Sequence, residues 1–144
     1  MPSTTQKANI GDLMMSEYHE SYNFEALFLA AAVTVPVNAE VLGYPVVVSG
    51  TTATIQTAAQ VTAFTAASSC NVIADDTPAV AAFSAVASTV KYRVLRRGPA
   101  IVHRSGLRTA DPAAANYDMT KFIAALLVAG IVVVNETGLT ATIS

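Results

Sequence analysis

Two stretches about thirty residues apart limit what this chain can fold into. The first, Arg97-Gly98-Pro99-Ala100-Ile101-Val102, follows a strand-like run from Lys91 to Leu95 and turns at Gly98-Pro99. In that run Lys91 and Arg93 fall on one face and Tyr92 and Val94 on the other, the two-residue period of a strand. The second, Gly130-Ile131-Val132-Val133-Val134, follows an apolar run of helical period. There Phe122, Ile123, Leu126 and Leu127 form one stripe over 119–129, and Asp118 or Asn116 is available as N-cap. Gly130 suits the position just past the helix, where a left-handed residue is wanted. The spacing predicts strand, turn, strand, then helix and closing strand. That pattern fits a small mixed α/β or mostly-β domain.

A chain of 144 residues corresponds to one domain, large enough to fold without disulfide or metal. Only 12% of its residues are charged, so much of the surface is neutral or apolar and some of it is expected to be covered by other subunits. Val and Thr, 18 and 16 of them, favour pleated structure, and 27 Ala fill close approaches. The net charge of −2 argues against nucleic acid or an anionic membrane as the main partner. The lone Cys70 reads as a small buried hydrophobe, consistent with folding in a reducing cytoplasm. Met1–Asn9 lacks the apolar core of a signal peptide. The longest apolar run, Phe122–Val134, is 13 residues, too short to span a bilayer.

Residues 1–25 read as an N-terminal arm and 26–144 as the compact domain. Tyr18, Tyr22 and Phe24 alternate with polar residues, so the arm could add a strand to a neighbouring sheet edge or fold back as a solvated tail. Its charge sums to −3 over residues 1–27, against +1 for the remainder. Leu27–Val33 fits either helix or buried strand, Val33–Val37 an edge strand, and Val41–Val48 a strand bent at Gly43 and Pro45. Thr51–Ser69, rich in Thr and Ala, reads as a hairpin or loop. Asn71–Ala74 is a short buried strand, Ala79–Ser88 a helical turn or loop, His103–Asn116 a loop and Gly138–Ser144 a tail.

Catalytic and metal signals are thin. His103, Ser105 and Asp111 share one loop, but no strained Gly-x-Ser-x-Gly elbow is present. A Cys70–His103 dyad, a metal site and a phosphate loop each lack the required spacing. Six of the eight basic residues, Lys91, Arg93, Arg96, Arg97, Arg104 and Arg108, lie within 18 positions. With one nearby aromatic, Tyr92, on the opposite strand face, this cluster reads as a protein-contact surface more than a nucleic-acid one.

Val94-Leu95-Arg96-Arg97-Gly98-Pro99-Ala100-Ile101-Val102 resembles the signature of the lambda-type phage head decoration proteins. In that family a helical segment and a closing Gly-Ile-Val-Val strand follow, matched here by Lys121–Val134. Ala39-Glu40-Val41-Leu42-Gly43 and Asn71–Asp76 resemble two upstream strands, so the likeness covers about residues 33–135. Its motif positions are Arg97, Gly98, Pro99, Ala100, Gly130 and Ile131.

The resemblance implies a mostly-β α+β domain, barrel-like or β-tulip, with one or two short helices and an extended arm. It implies a homotrimer at local threefold positions on the outside of the mature phage head, made in the bacterial cytoplasm, stabilising the shell against packaged DNA. The partner would be the major capsid protein, with no enzymatic activity, cofactor, membrane or small-molecule substrate. Leu13, Tyr18, Tyr22 and Phe24 would be capsid contacts, and Arg93, Arg96, Arg97 and Arg104 subunit contacts. The rival readings are a binding module of a phage tail or fibre, and a small hydrolase using His103.

Overall fold

A computed structural model describes residues 13–17 and 20–135. Five strands close into a barrel: β2 (Phe24–Ala31), β3 (Pro45–Ser49), β4 (Thr52–Ile55), β5 (Asn71–Ile73) and β6 (Lys91–Leu95), in the order β2-β4-β3-β5-β6. β2 runs parallel to β4, the other pairs are antiparallel, and β6 returns to β2 with Phe24 opposite Leu95 and Phe28 opposite Lys91. A second sheet holds β1 (Met14–Glu17), β7 (Ala100–His103) and β8 (Ile131–Val134), in the order β1-β7-β8. β7 and β8 are parallel, so the chain between them must cross over, and it does so through a 3-10 turn (Arg104–Gly106) and a helix. The helical pieces are one turn, α1 (Glu20–Asn23), and two short helices, α2 (Ala58–Thr62) and α3 (Met119–Val128). The fold is thus a small, mostly-β α+β domain built on a closed barrel.

Strand alternation sorts the apolar side chains into two cores. Leu27, Leu29, Val46, Ala53, Ile55, Ile73, Tyr92 and Val94 fill the barrel interior. Phe24, Val72 and Leu95 point the other way, into a core shared with Leu13, Val102, Phe122, Leu126 and Ile131. β5 is therefore buried on both faces, Val72 in one core and Ile73 in the other. Burying a side chain of this size stabilises by about 1.5–3 kcal/mol. The connections β2–β3 and β5–β6 pack on the barrel core through Val35, Ala79 and Phe83; Val35 bridges Phe83, and the Val80 N–H donates to the Tyr92 hydroxyl.

Helix α3 starts where Asp118 accepts from the Lys121 N–H and is followed by Gly130 at φ +87°. Phe122, Ala125 and Leu126 are buried. Leu127, expected on the same stripe, is 60% exposed: at 100° per residue it lies past the edge of the face that Phe122 and Leu126 define.

Other expectations change. The run 27–33 is strand as far as Ala31, where β2 (Phe24–Ala31) ends in a bend at 32–33. Val33–Val37 forms only the single bridge at Val35, and the strand expected over 41–48 begins at Pro45, after a turn in which Gly43 has φ +90°. Thr51–Ser69 contains both β4 and α2, whose Thr57 hydroxyl accepts from the Gln60 N–H while the Gln60 side chain accepts from the Thr57 N–H.

The largest correction concerns the arm. The boundary expected at residue 25 falls inside β2, and Met14–Glu17 pairs with Val102–Ala100 of the same chain. Leu13 is fully buried and Phe24 nearly so. The free strand edge that such a segment needs is supplied by its own domain. Residues 1–12 and Tyr18 lie outside the described residues.

Candidate functional site

The motif residues converge on one junction between barrel and second sheet. β6 ends at Leu95 and β7 begins at Ala100, so Arg96–Pro99 must carry the chain from one sheet to the other. The Gly98 N–H donates to the Ala129 carbonyl at 3.0 Å, which lays the turn directly on the end of α3. A Cβ on Gly98 would sit on the Gly130 carbonyl, so only glycine allows this approach. Gly98–Pro99 is a cis peptide.

Asn23 holds the turn from the other side. Its side-chain amide donates to the carbonyls of Arg97 at 2.9 Å and Pro99 at 3.1 Å. The Asn23 backbone carbonyl accepts from the N–H groups of Arg96 and Arg97. The side chain is fully buried, and buried amides are retained where they satisfy otherwise orphaned backbone groups. Asn71 adds a bond to the Arg96 carbonyl. Sequence reading missed Asn23 because its partners are 74 and 76 residues away and a single Asn carries no periodic signal.

The basic cluster is largely taken up within the chain. The Arg93 guanidinium lies 3.9 Å from the Phe24 ring centroid, Arg97 lies 5.3 Å from that of Tyr22, and Lys91 lies 5.2 Å from that of Phe28. Arg97 also donates to the Tyr22 carbonyl at 2.6 Å. Arg96 pairs with Glu25 at 3.2 Å; both side chains are more than a third exposed, so the pair contributes about 0–1 kcal/mol. Arg108 reaches the Leu42 and Glu40 carbonyls and stacks at 4.8 Å on Tyr44. Arg104 is exposed at the start of the 3-10 turn. Arg93, Arg96 and Arg97 thus fasten the segment Tyr22–Glu25 to the barrel.

The expected capsid contacts separate. Leu13 and Phe24 are core residues, which excludes them as surface contacts, while Tyr22 is 48% exposed. Tyr18 lies outside the described residues. The exposed large apolar side chains include Met15 on β1, Leu127 and Val128 at the end of α3, and Val132 on β8.

Of the residues weighed for catalysis, Asp111 is committed to structure. One carboxylate oxygen accepts from Ala58 N–H at the start of α2, and the other from Ala113 and Ala115. Beside it the Tyr117 hydroxyl donates to the Gln56 carbonyl at 2.6 Å. Burial first, then the Asp111 charge, pushes that phenol well above its ordinary value. Burial likewise pushes the Cys70 thiol up to about 12, against the low value a thiolate nucleophile needs. Among the described residues no three His, Cys, Asp or Glu side chains come together to hold a metal. A cleft of about 470 Å³ between Glu40, Leu42 and Ser105–Thr109 has its one cation, Arg108, already facing Glu40.

This is the site of a mostly-β domain whose distinctive residues join two sheets. Comparison with protein-family models, with curated proteins and with solved structures found no match.

Proposed function

We propose that this chain is a structural protein of a bacteriophage head, binding the outer surface of the mature capsid as a trimer at local threefold positions. There it stabilises the shell against the pressure of packaged DNA and performs no catalysis. The observation that carries this reading is the junction at Gly98. The two halves of the decoration-protein likeness, Arg97–Ala100 and Gly130–Ile131, are far apart in sequence and touch backbone to backbone. A likeness whose separate parts form one packed unit supports the reading more than either motif does alone.

The surface chemistry agrees with a protein partner. Charge is sparse, and Met15, Leu127, Val128 and Val132 are each more than 40% exposed. Trimer contacts and the major capsid protein would cover such residues. Residues 1–12, which lie outside the described residues, are the part of the expected capsid-binding arm that β1, α1 and β2 do not take up. Many equivalent weak contacts on one lattice hold firmly through effective concentration.

The test is co-sedimentation with undecorated heads and, separately, with tails, followed by imaging of the particles. Binding to mature heads with new density at local threefold positions is the expected result. A protein that remains monomeric at high concentration and leaves those positions empty would sink the proposal, and co-purification with tails would point to a tail module.

A further inference from the structure

We propose that the uncharged end of the barrel, formed by the β2–β3 and β5–β6 connections, is the surface through which copies of this chain bind one another head to tail. Residues 26–39 and 77–90 contain no charged side chain. The fold brings both runs to one pole. The Val35–Phe83 bridge and the bond from the Asn38 N–H to the Ala79 carbonyl hold the two connections side by side. The Ala31 N–H donates to the Ser84 carbonyl and the Ser88 N–H to the Leu29 carbonyl, which ties the second connection to the end of β2. Backbone bonds therefore set this surface before any partner arrives.

Its outside is apolar. Val37, Val80, Val86 and Val90 are all exposed, Val86 to 80%. Exposed valines on a fixed surface mark an interaction site. The same pole has a recess of about 240 Å³, lined by residues 81–84 and 86–90, the buried Phe83 among them. It is smaller than the roughly 300–1,000 Å³ of small-molecule sites and suits side chains of another protein.

Charge selects the occupant. A different protein is recognised through complementary charge as well as shape, and this pole offers none. Copies around a symmetry axis crowd the same region together, where a charge would meet its own kind. A neutral surface therefore suits a second copy of this chain, and interface cores are depleted in charge. Shape agrees. Val37 and Val80 flank the Asn38–Ala79 bond, and the recess lies beside them, so projection and recess share one surface. Such a heterologous contact forms a ring when its rotation closes. β2 runs roughly 23 Å from this pole to Phe24, in the core shared with the second sheet. Met15, Leu127 and Val132, on that second sheet and its helix, stay open to the capsid protein while copies join at the barrel end. The inference rests on the proposed function only for the count of three copies.

Sedimentation velocity of the full chain over a wide concentration range tests this. The natural chain should self-associate. Val86→Asp and Val37→Asp, each at an exposed position, should keep the melting midpoint and weaken association about tenfold or more, because a carboxylate buried there has no partner. Leu127→Asp, at the other pole, should leave association unchanged. Head-to-tail pairing has its own readout. Val37→Cys chains mixed with Val90→Cys chains should form more disulfide-linked pairs than either variant alone, and the natural Cys70 is buried and takes no part. A natural chain that stays monomeric at every concentration overturns the inference, even where threefold density on heads upholds the proposed function. Equal losses at Val86 and Leu127, or no excess of mixed pairs, overturn it too. Association that depends on Val86 and Val37 in a chain that never binds heads would uphold the inference and remove the capsid reading.

Discussion

Gly98 donates its N–H to the residue before Gly130, and its α-carbon lies where any side chain would collide with the Gly130 carbonyl. The atoms in the way are the Gly130 backbone at the end of α3, and Asn23 holds the Gly98 turn from the other side, so neither can swing aside. Gly98→Ala should therefore destabilise by about 1–3 kcal/mol or more through overpacking. Gly130→Ala adds a side chain at φ +87°, at a cost of roughly 1–2 kcal/mol. Urea unfolding of both variants checks this. A Gly98→Ala protein as stable as the parent would mean that the two motif segments do not pack as described.

Adjacent leucines on α3 give an internal comparison. Leu126 is fully buried, and its replacement by Ala should cost about 2–5 kcal/mol. Leu127 is mostly exposed, so Leu127→Ala should stay within about 0.5 kcal/mol in the isolated protein. Thermal melts of the two variants should separate clearly, and equal losses would show that α3 is rotated from its described position.

Asp111 organises the loop that crosses from β7 toward α3. Asp111→Ala would leave three backbone donors without their carboxylate, with a loss of roughly 1–3 kcal/mol for each group kept from water. Within the turn that it holds, Ala114 has φ +72°. Ala114→Gly should raise the unfolding free energy by up to about 1 kcal/mol, the relief of left-handed strain less the added chain entropy of glycine. Opposite signs for these two substitutions in chemical unfolding are the expected signature.

Cys70 sets a pH dependence. Its thiol ionises near 9.0 when exposed and near 12 when buried, so between those values the unfolded chain releases a proton that the folded chain keeps. Stability is then fully present below pH 9.0 and falls as pH rises toward 12, by at most about 1.4 kcal/mol per pH unit from this group. Tyr117, raised in the same direction, adds to the fall above its ordinary value of 10.0. Cys70→Ala should flatten the slope between pH 9 and 10 when unfolding free energy is measured against pH. An unaltered slope would place the responsible group elsewhere.

If residues 1–12 form the capsid arm, deleting residues 2–12 should leave the melting midpoint nearly unchanged while weakening co-sedimentation with undecorated heads. Loss of folding would assign those residues to the domain. Full-strength docking would move the contact to the exposed apolar side chains, Leu127 and Val132 first.

What could be read from sequence was what local pattern encodes. The alternation of Lys91–Leu95, the Gly98-Pro99 turn, the Asp118 cap and Gly130 all act within a few residues, and each element stands where the pattern put it. The capping box of α2 was also there, in Thr57 and Gln60, but a Thr/Ala-rich background hid it. The first strands were illegible for a different reason. Alternation over Tyr18–Phe24 left open an added strand or a solvated tail, whereas Glu20–Asn23 is the turn α1 and the strands on either side of it enter different sheets. Leu13 joins the core beside β1, which pairs with β7 more than eighty residues on, a partner no window of sequence contains. The candidate contacts split along the same line: the glycines were legible from local backbone demands, and Asn23, acting across the fold, was not.

β5 has only three residues, yet it is the wall between the two cores. Withdrawing Val72 from one side strips Ile73 from the other, so neither compartment can melt while its neighbour stays intact. Calorimetry should record a single endotherm whose van't Hoff enthalpy equals the measured heat. In mechanical terms the domain is one brick, and load applied at either sheet is shared by both.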